Sequence, residues 1–297
     1  MLDEVGSGKS TKSLLVLIVI VAMAFWGGMK FEAAKHWSET QLPFASVEEF
    51  LAAIDKTKST ERWFGPYARL RRQGAGLLPP LKDGQGLPLL SRLIKDNRLQ
   101  ELKFVMALDS YPVMARDPKG WTPLHYATQQ KNSLAYLTAL GPVLMDWSEH
   151  KDKKGRTALH LAAAKDDMLA VRQLLTTGVT FDYELQENSG DTALHIAIRA
   201  SEEASLGTIL ALARSRDSFG PDALGRTPLL LAVELEKWAA VRVLSEEGDD
   251  PNQPDQKGRT ARSLLKVRNP DLYREVVPTW RRFGFATDSD QTGRTPR

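Results

Sequence analysis

The chain has 297 residues, no cysteine, 42% apolar residues and a formal charge of +3. Without cysteine it can form no disulfide and can offer no thiolate for catalysis or metal ligation, while the redox compartment stays open. The charge is too small to mark a nucleic-acid binder by itself, and no basic motif interleaved with aromatics is present.

Residues 1–12 read as a polar tail. Within it, Gly6-Ser7-Gly8-Lys9-Ser10-Thr11 imitates the end of a phosphate-binding loop. The full motif needs a glycine where Asp3 stands, and a strand before it to aim backbone N–H groups at the phosphate. Two residues cannot make a strand, and an acid in a phosphate cradle repels its ligand.

Ser13 to Met29 is a run of 17 residues without a charge. As a helix it would be about 25 Å long, against a bilayer core of about 30 Å, so Lys12 and Lys30 would snorkel outward. Trp26 lies near one end, where interfacial tryptophans anchor. The reading is a retained single-pass transmembrane helix. Two alternatives stand beside it: a signal peptide cleaved after Ala22-Met23-Ala24, and a buried helix of a soluble domain. Asp3 and Glu4 make a poor signal-peptide start. Lys9 and Lys12 before the span balance Lys30 and Lys35 after it, so positive charge does not settle orientation. A short tail followed by the bulk of the chain resembles a signal anchor, which puts the rest outside the cytoplasm; a cytoplasmic placement is the alternative. No Asn-x-Ser/Thr acceptor occurs, which favours a bacterial source and hence the periplasm.

Residues 30–82 read as a helical juxtamembrane segment and N-terminal cap. Ser46 and Glu49 have capping-box spacing. Val47, Phe50, Leu51 and Ile54 form a helical stripe. A second short helix is expected around Ala68 to Arg72, where Arg69, Arg71 and Arg72 make a solvated face or, alternatively, touch lipid head groups.

From residue 83 the chain repeats itself. Gly120-Trp121-Thr122-Pro123-Leu124-His125-Tyr126-Ala127 is followed by Gly155-Arg156-Thr157-Ala158-Leu159-His160-Leu161-Ala162, by Gly190-Asp191-Thr192-Ala193-Leu194-His195-Ile196-Ala197, and by Gly225-Arg226-Thr227-Pro228-Leu229-Leu230-Leu231-Ala232. Weaker copies begin at Gly86 and Gly258. The glycines lie 34, 35, 35, 35 and 33 residues apart, a period that indicates a stacked solenoid. Thr122, Thr157, Thr192, Thr227 and Thr260 are N-cap candidates. Proline next in line suits a first helical turn. A second helix follows in each copy, as in Met168 to Leu175, with Leu169, Val171, Leu174 and Leu175 as its apolar positions. Leu159 sits in a slot that is leucine in all four central copies and belongs to the shared core.

The unit resembles the ankyrin repeat, whose signature is Thr-Pro-Leu-His-x-Ala. The resemblance covers residues 83–284, with units near 83–116, 117–151, 152–186, 187–221, 222–254 and 255–284; residues 285–297 are expected to be a disordered tail. It implies an all-α ankyrin-repeat solenoid, preceded here by one N-terminal transmembrane helix. It also implies that His125, His160 and His195 hydrogen-bond neighbouring backbone. Stacked equivalents sit about 8–10 Å apart, too far to share one metal ion. No cofactor, metal, nucleic acid or small-molecule substrate is expected, and no nucleophile elbow or catalytic carboxylate pair stands out.

Ankyrin-like proteins meet partners at turn tips and the inner helix face. The resemblance carries this onto Lys119, Trp121, Lys153, Lys154, Arg156, Asn188, Ser189, Asp191, Leu224, Arg226, Lys257 and Arg259. Seven of these twelve are basic and one is acidic, which favours a protein partner with an acidic surface; the alternative is a row of solvated turn residues. Trp121 is the candidate apolar anchor. The reading is a membrane-tethered protein–protein interaction module, a scaffold, assembly factor or inhibitor, and not an enzyme. A secreted ankyrin-type effector released by signal cleavage and a nucleotide-dependent enzyme are the other two readings.

Overall fold

The computed structural model describes residues 46–56, 81–107, 115–141, 150–175, 190–201, 206–215 and 219–285. The uncharged run 13–29, the basic cluster Arg69, Arg71 and Arg72, and the tail 286–297 lie outside the described residues. Among the described residues no helix is long and apolar enough to cross a membrane. The chain divides into two compact units, residues 1–118 and 119–297.

In the first unit, α1 spans Val47–Asp55. Ser46 caps it by accepting a hydrogen bond from the Glu49 N–H at 3.3 Å. The stripe Val47, Phe50, Leu51 and Ile54 is buried, as its helical spacing predicts. A helix pair follows, α2 (Leu89–Lys95) and α3 (Leu99–Met106). Three contacts tie α1 to that pair's hairpin and second helix: the Val47 N–H to the Lys82 carbonyl at 3.4 Å, the Gly84 N–H to Glu48 at 3.2 Å, and an ion pair between Asp55 and Arg98.

The second unit holds five helix pairs among the described residues. They are α4 (Pro123–Gln129) with α5 (Ser133–Ala139), α6 (Ala158–Ala164) with α7 (Met168–Leu175), α8 (Ala193–Ala200) with α9 (Gly207–Ala213), α10 (Pro228–Glu234) with α11 (Trp238–Glu247), and α12 (Ala261–Arg268) with α13 (Pro270–Arg282). First helices pack in one row, α4, α6, α8, α10 and α12; second helices pack in another, α5, α7, α9, α11 and α13. Most of these helices have seven or eight residues, a length that is unstable alone in water. Stacking supplies what they lack. Ala127, Ala162, Ala163, Ala197 and Ala232 are buried along the first row, where small side chains let helix backbones approach. Leu124, Leu159, Leu194 and Leu229 fill the core between them.

Local chemistry explains where each helix starts. Thr122, Thr157, Thr192, Thr227 and Thr260 all occupy N-cap positions with extended backbone. The N–H groups of Thr122 and Thr157 donate to Nδ1 of His125 and His160 at 3.1 and 3.2 Å. The histidine thus plays the part that glutamate plays in a usual capping box. In the last copy Ser263 takes the same role at 3.2 Å.

The second helices bury a narrower stripe than their composition suggests. In α7 the buried residues are Ala170, Val171 and Leu174, while Leu169 is 52% exposed. The turn between the two helices of a unit passes through the left-handed region at Asn97, Asp166 and Glu236. Asparagine and aspartate tolerate that conformation through local hydrogen bonding; glutamate does so poorly. Glu236→Asn should therefore raise stability by up to about 1 kcal/mol. The 3.6 Å pair of Glu236 with Arg268 is exposed, so its loss costs little. A lower melting temperature for this variant would remove the strain argument.

Candidate partner-binding surface

Each unit opens with a tight turn, and the second unit strings these tips into a ridge. The turn is built on Asp-x-x-Gly. In the copies at Asp152, Asp222 and Asp255 the glycine N–H donates to the aspartate carbonyl at 2.9 Å, and Gly155, Gly225 and Gly258 have φ between 74° and 79°. The aspartate side chain then folds back over its own turn. Oδ1 of Asp222 accepts from the N–H groups of Leu224 and Arg226, both at 2.9 Å. Asp83, Asp152 and Asp255 repeat this with partners at 2.8 or 2.9 Å.

Oδ2 of the same aspartate holds the arginine after the glycine. Arg156 meets Asp152 at 2.8 Å, and Arg226 meets Asp222 and Arg259 meets Asp255, both at 2.6 Å. Burial alone would raise these carboxyls. The arginine and backbone hydrogen bonds outweigh it and hold Asp152, Asp222 and Asp255 below the usual carboxylate range. Their stabilisation is present above the unfolded carboxylate pKa and is lost as pH falls through the lowered folded value, in the window below about pH 4. Glu234 joins two neighbouring clips, meeting Arg226 at 3.0 Å and Arg259 of the next unit at 2.6 Å.

Neighbouring tips are stitched together through backbone. The Lys153 N–H donates to the Lys119 carbonyl at 3.1 Å and the Gln256 N–H to the Leu224 carbonyl at 3.0 Å. Gly190 presses on the following tip, so that a Cβ placed there would lie 2.2 Å from the Cβ of Ala223. Histidines add bonds beneath the ridge. Nε2 of His125 faces the Arg156 carbonyl at 3.0 Å, and Nε2 of His195 faces the Arg226 carbonyl at 2.9 Å. A carbonyl can only accept, so Nε2 carries the proton in both; this tautomer is assigned from the bonding pattern. Burial pushes the His195 pKa down, against the Arg226 carbonyl bond that would raise it.

These bonds sort the twelve expected ridge residues. Arg156, Arg226 and Arg259 are structural clips, each turned toward its own aspartate. Asp191 sits where those arginines sit, with the charges reversed: it pairs with Arg199 at 3.1 Å, eight residues on, as Arg226 pairs with Glu234. Trp121 occupies the same place in its copy. It is half-buried, lies against His125 and Tyr126 with ring centroids 6.0 and 5.0 Å away, and donates from Nε1 to Asp152 of the following unit at 3.1 Å. It packs on its own unit and bonds forward to the next. Lys153, Lys154, Leu224 and Lys257 are exposed or nearly so, and Leu224 is 51% exposed. Lys119 is exposed beside Lys153. Asn188 and Ser189 lie outside the described residues. The aspartate at the start of each turn was missed by reading around the glycine, although the spacing Asp-x-x-Gly recurs at Asp83, Asp117, Asp152, Asp222 and Asp255.

One corollary concerns Arg156→Glu. It would set a second carboxylate against Asp152, whose side chain is only 2% exposed. We expect it to cost more than the roughly 0.5 kcal/mol of an ordinary surface change, readable as a lowered thermal midpoint. An unchanged midpoint would mean the clip contributes nothing. Lys153 and Lys154 are the better positions for charge reversal. Among the described residues no cluster of His, Asp and Glu is arranged to hold a metal ion.

Residues 139–218 match the family model described as ankyrin repeats in three copies. Comparison with curated proteins returns no match. Among solved structures, the ankyrin repeat domain of Bcl-3, a member of the IkappaB family, is 23% identical at a TM-score of 0.53, over 66% of this chain and 86% of that one. EF0377, an ankyrin repeat protein, is 22% identical at 0.54, over 64% and 94%. An ankyrin repeat domain from Acinetobacter baumannii AYE is 25% identical at 0.54, over 66% and 97%. The chain carries ankyrin repeats: those within residues 139–218 are matched by the family's own model, and the helix pairs before and after them in the second unit are built to the same plan.

Proposed function

We propose that this chain is a protein–protein interaction module, held at a membrane by residues 13–29 and meeting its partner along the ridge of turn tips. The observation that carries the reading is the stitching of those tips. Bonds such as Lys153 to Lys119 and Gln256 to Leu224 fix the spacing of the ridge. A surface ordered in advance loses little entropy on binding. The ankyrin fold is typically a non-catalytic scaffold, which agrees with this use. Trp121 offers a half-buried aromatic beside Lys119 and Lys153, the combination of rigid apolar area and charge that interface centres favour. The membrane tether rests on the uncharged run alone.

The test places a photo-crosslinking amino acid at Lys154 on the ridge, and separately at exposed Arg172 on the second-helix face, in the full chain expressed in its source cells. A discrete protein adduct from position 154 and none from position 172 is expected. Adducts from neither position, or from 172 only, would defeat the ridge reading. Carbonate extraction addresses the tether: the chain should stay in the membrane pellet with its N-terminus intact, and a mature N-terminus at Phe25 would replace the anchor by a cleaved signal.

A further inference from the structure

Arg156, Arg226 and Arg259 hold their turns in the same way. In each, Nε and Nη2 both meet Oδ2 of the aspartate four residues before. The distances are 3.1 and 2.8 Å for Arg156, 2.8 and 2.6 Å for Arg226, and 2.9 and 2.6 Å for Arg259. A guanidinium is planar and rigid, so this grip aims the remaining nitrogen, Nη1, the same way in all three copies. In the two later copies Nη1 finds Glu234. Arg226 meets Oε2 at 3.0 Å and Arg259 meets Oε1 at 2.6 Å. Nη1 of Arg156 meets no acid among the described residues; the one ion pair of this arginine is with Asp152 through Nη2.

The difference lies at the end of the first helix. Glu234 is the last residue of α10, eight residues after Arg226. The residue eight after Arg156 is Ala164, the last residue of α6. α6 and α10 each have seven residues, start at a threonine cap and follow a glycine with φ of 79° or 78°. Ala164 therefore occupies the place of Glu234. The pair of Asp191 with Arg199 in α8 shows the same offset of eight. Glu234 also reaches the arginine of the unit after it, and the residue placed to reach Arg156 in that way is Gln129. Neither Gln129 nor Ala164 is acidic, and both are exposed. The result is a slot at Ala164 beside Arg156. Asp191 borders it from the following unit, as Arg259 borders Glu234, but gives both its oxygens to Arg199 at 3.1 and 3.2 Å. Trp121 donates to the same Oδ2 of Asp152 that Arg156 holds, so its half-buried ring stands near the slot.

We infer that a glutamate or aspartate side chain of the protein partner enters the slot at Ala164 and pairs with Arg156, as Glu234 pairs with Arg226. The inference rests on the ridge being the binding surface and names the chemical group received there. Arg156 is already fixed by Asp152, so the incoming carboxylate makes a charge-assisted hydrogen bond without the entropy cost of ordering the arginine. The small side chain of Ala164 leaves the approach open. The Trp121 ring offers apolar contact to the partner atoms beside the acid.

The test adds Ala164→Glu, and separately Ala164→Gln, to the full chain carrying the photo-crosslinker at position 154, in membranes from the source cells. Ala164→Glu supplies the missing acid from the chain itself. It should lower the yield of the position-154 adduct by about tenfold or more, the scale of one lost hydrogen bond to a charged group. The thermal midpoint of the purified variant should stay at or above that of the wild type at neutral pH, because the new carboxylate pairs with Arg156. Ala164→Gln, of equal bulk and no charge, should cost about threefold or less, the scale of a neutral contact. Phosphatase treatment of the membranes before irradiation should leave the yield unchanged. An adduct that survives Ala164→Glu overturns the inference, as does an equal loss with Ala164→Gln, which would make bulk the cause. A lowered midpoint for Ala164→Glu overturns it too, since position 164 would not face Arg156. Loss of the adduct on phosphatase treatment overturns it in favour of a phosphorylated partner. No adduct from the wild-type chain defeats the ridge reading and this inference together, whereas an adduct indifferent to Ala164→Glu defeats this inference alone.

Discussion

Leu159→Ala should cost about 2–5 kcal/mol, the range found when a buried leucine is cut back and its space only partly collapses. Leu159 is 4% exposed on α6, in the row where α6 packs between α4 and α8. The loss should not spread evenly. Each pair touches only the pairs beside it, so the repeats on either side of the cavity loosen first, and distant pairs report less. Hydrogen exchange should show faster opening in α4 to α9 than in α12 and α13. A cost under about 0.5 kcal/mol, typical of surface positions, would mean that the packed row is wrongly identified.

Asp249→Asn should stabilise the protein at neutral pH by more than about 1 kcal/mol, because each pH unit between the unfolded carboxyl pKa and the raised folded one costs the wild type about 1.4 kcal/mol. Asp249 is 1% exposed. Its Oδ2 accepts from the Leu229 N–H at 2.7 Å, while Oδ1 is buried without a hydrogen-bond partner. In sequence, Val179 stands at the corresponding place two units earlier. Burial pushes the Asp249 carboxyl well above its usual pKa, the neighbouring Asp250 charge adds to that, and the Leu229 amide opposes it. The sign follows by linkage. From about pH 4 upward the unfolded chain gives up this proton while the folded chain keeps it, so stability falls with rising pH until the raised folded pKa is passed. Asparagine keeps an acceptor for Leu229 and never ionises. Denaturant midpoints of the two proteins should therefore differ at neutral pH and converge toward pH 4. A gap that persists unchanged at pH 4 would show that charge is not its cause. The aspartate clips of the ridge act in the opposite direction below about pH 4, and both proteins share them.

What could be read in advance was whatever depends on one residue type at a fixed period. The threonine caps, the alanine and leucine rows, and the stripe of α1 are of that kind, because each needs only local geometry and burial. Charged groups resisted such reading. Lysine and arginine beside the glycines count alike in sequence, yet Arg226 closes on Asp222 and Glu234 whereas Lys257 is exposed. The distinction requires knowing that the turn folds the aspartate back toward the fourth residue on. Arg262 is a second instance. It stands in the slot that is leucine in four earlier copies, is 7% exposed, and lies 5.5 Å from the Trp280 ring centre; a pattern of leucines would not place a guanidinium there. Leu169 errs the other way, apolar by composition but exposed, since α7 touches its neighbours through a narrow stripe only.

The carbonyl groups that end the first helices are satisfied from the unit that comes after. The Lys165 ammonium bonds the Thr128 and Gln130 carbonyls at 3.1 and 2.8 Å, Lys237 bonds the Ser201 carbonyl at 2.6 Å, and Arg268 bonds the Glu234 carbonyl at 2.9 Å. His125 and Trp121 likewise bond forward, to Arg156 and Asp152. This gives the array a direction in time as well as in space. A ribosome delivers the chain amino end first, so a helix pair emerges before the cation that closes its own first helix has been made, and the pair most recently released is the incomplete one. Loss of the final unit, by arrest or by a protease, would leave α10 with its last carbonyls open, whereas loss of an early unit takes no such cation from those that remain. Amide exchange along α10 in a chain ending at Pro254 reads that asymmetry directly.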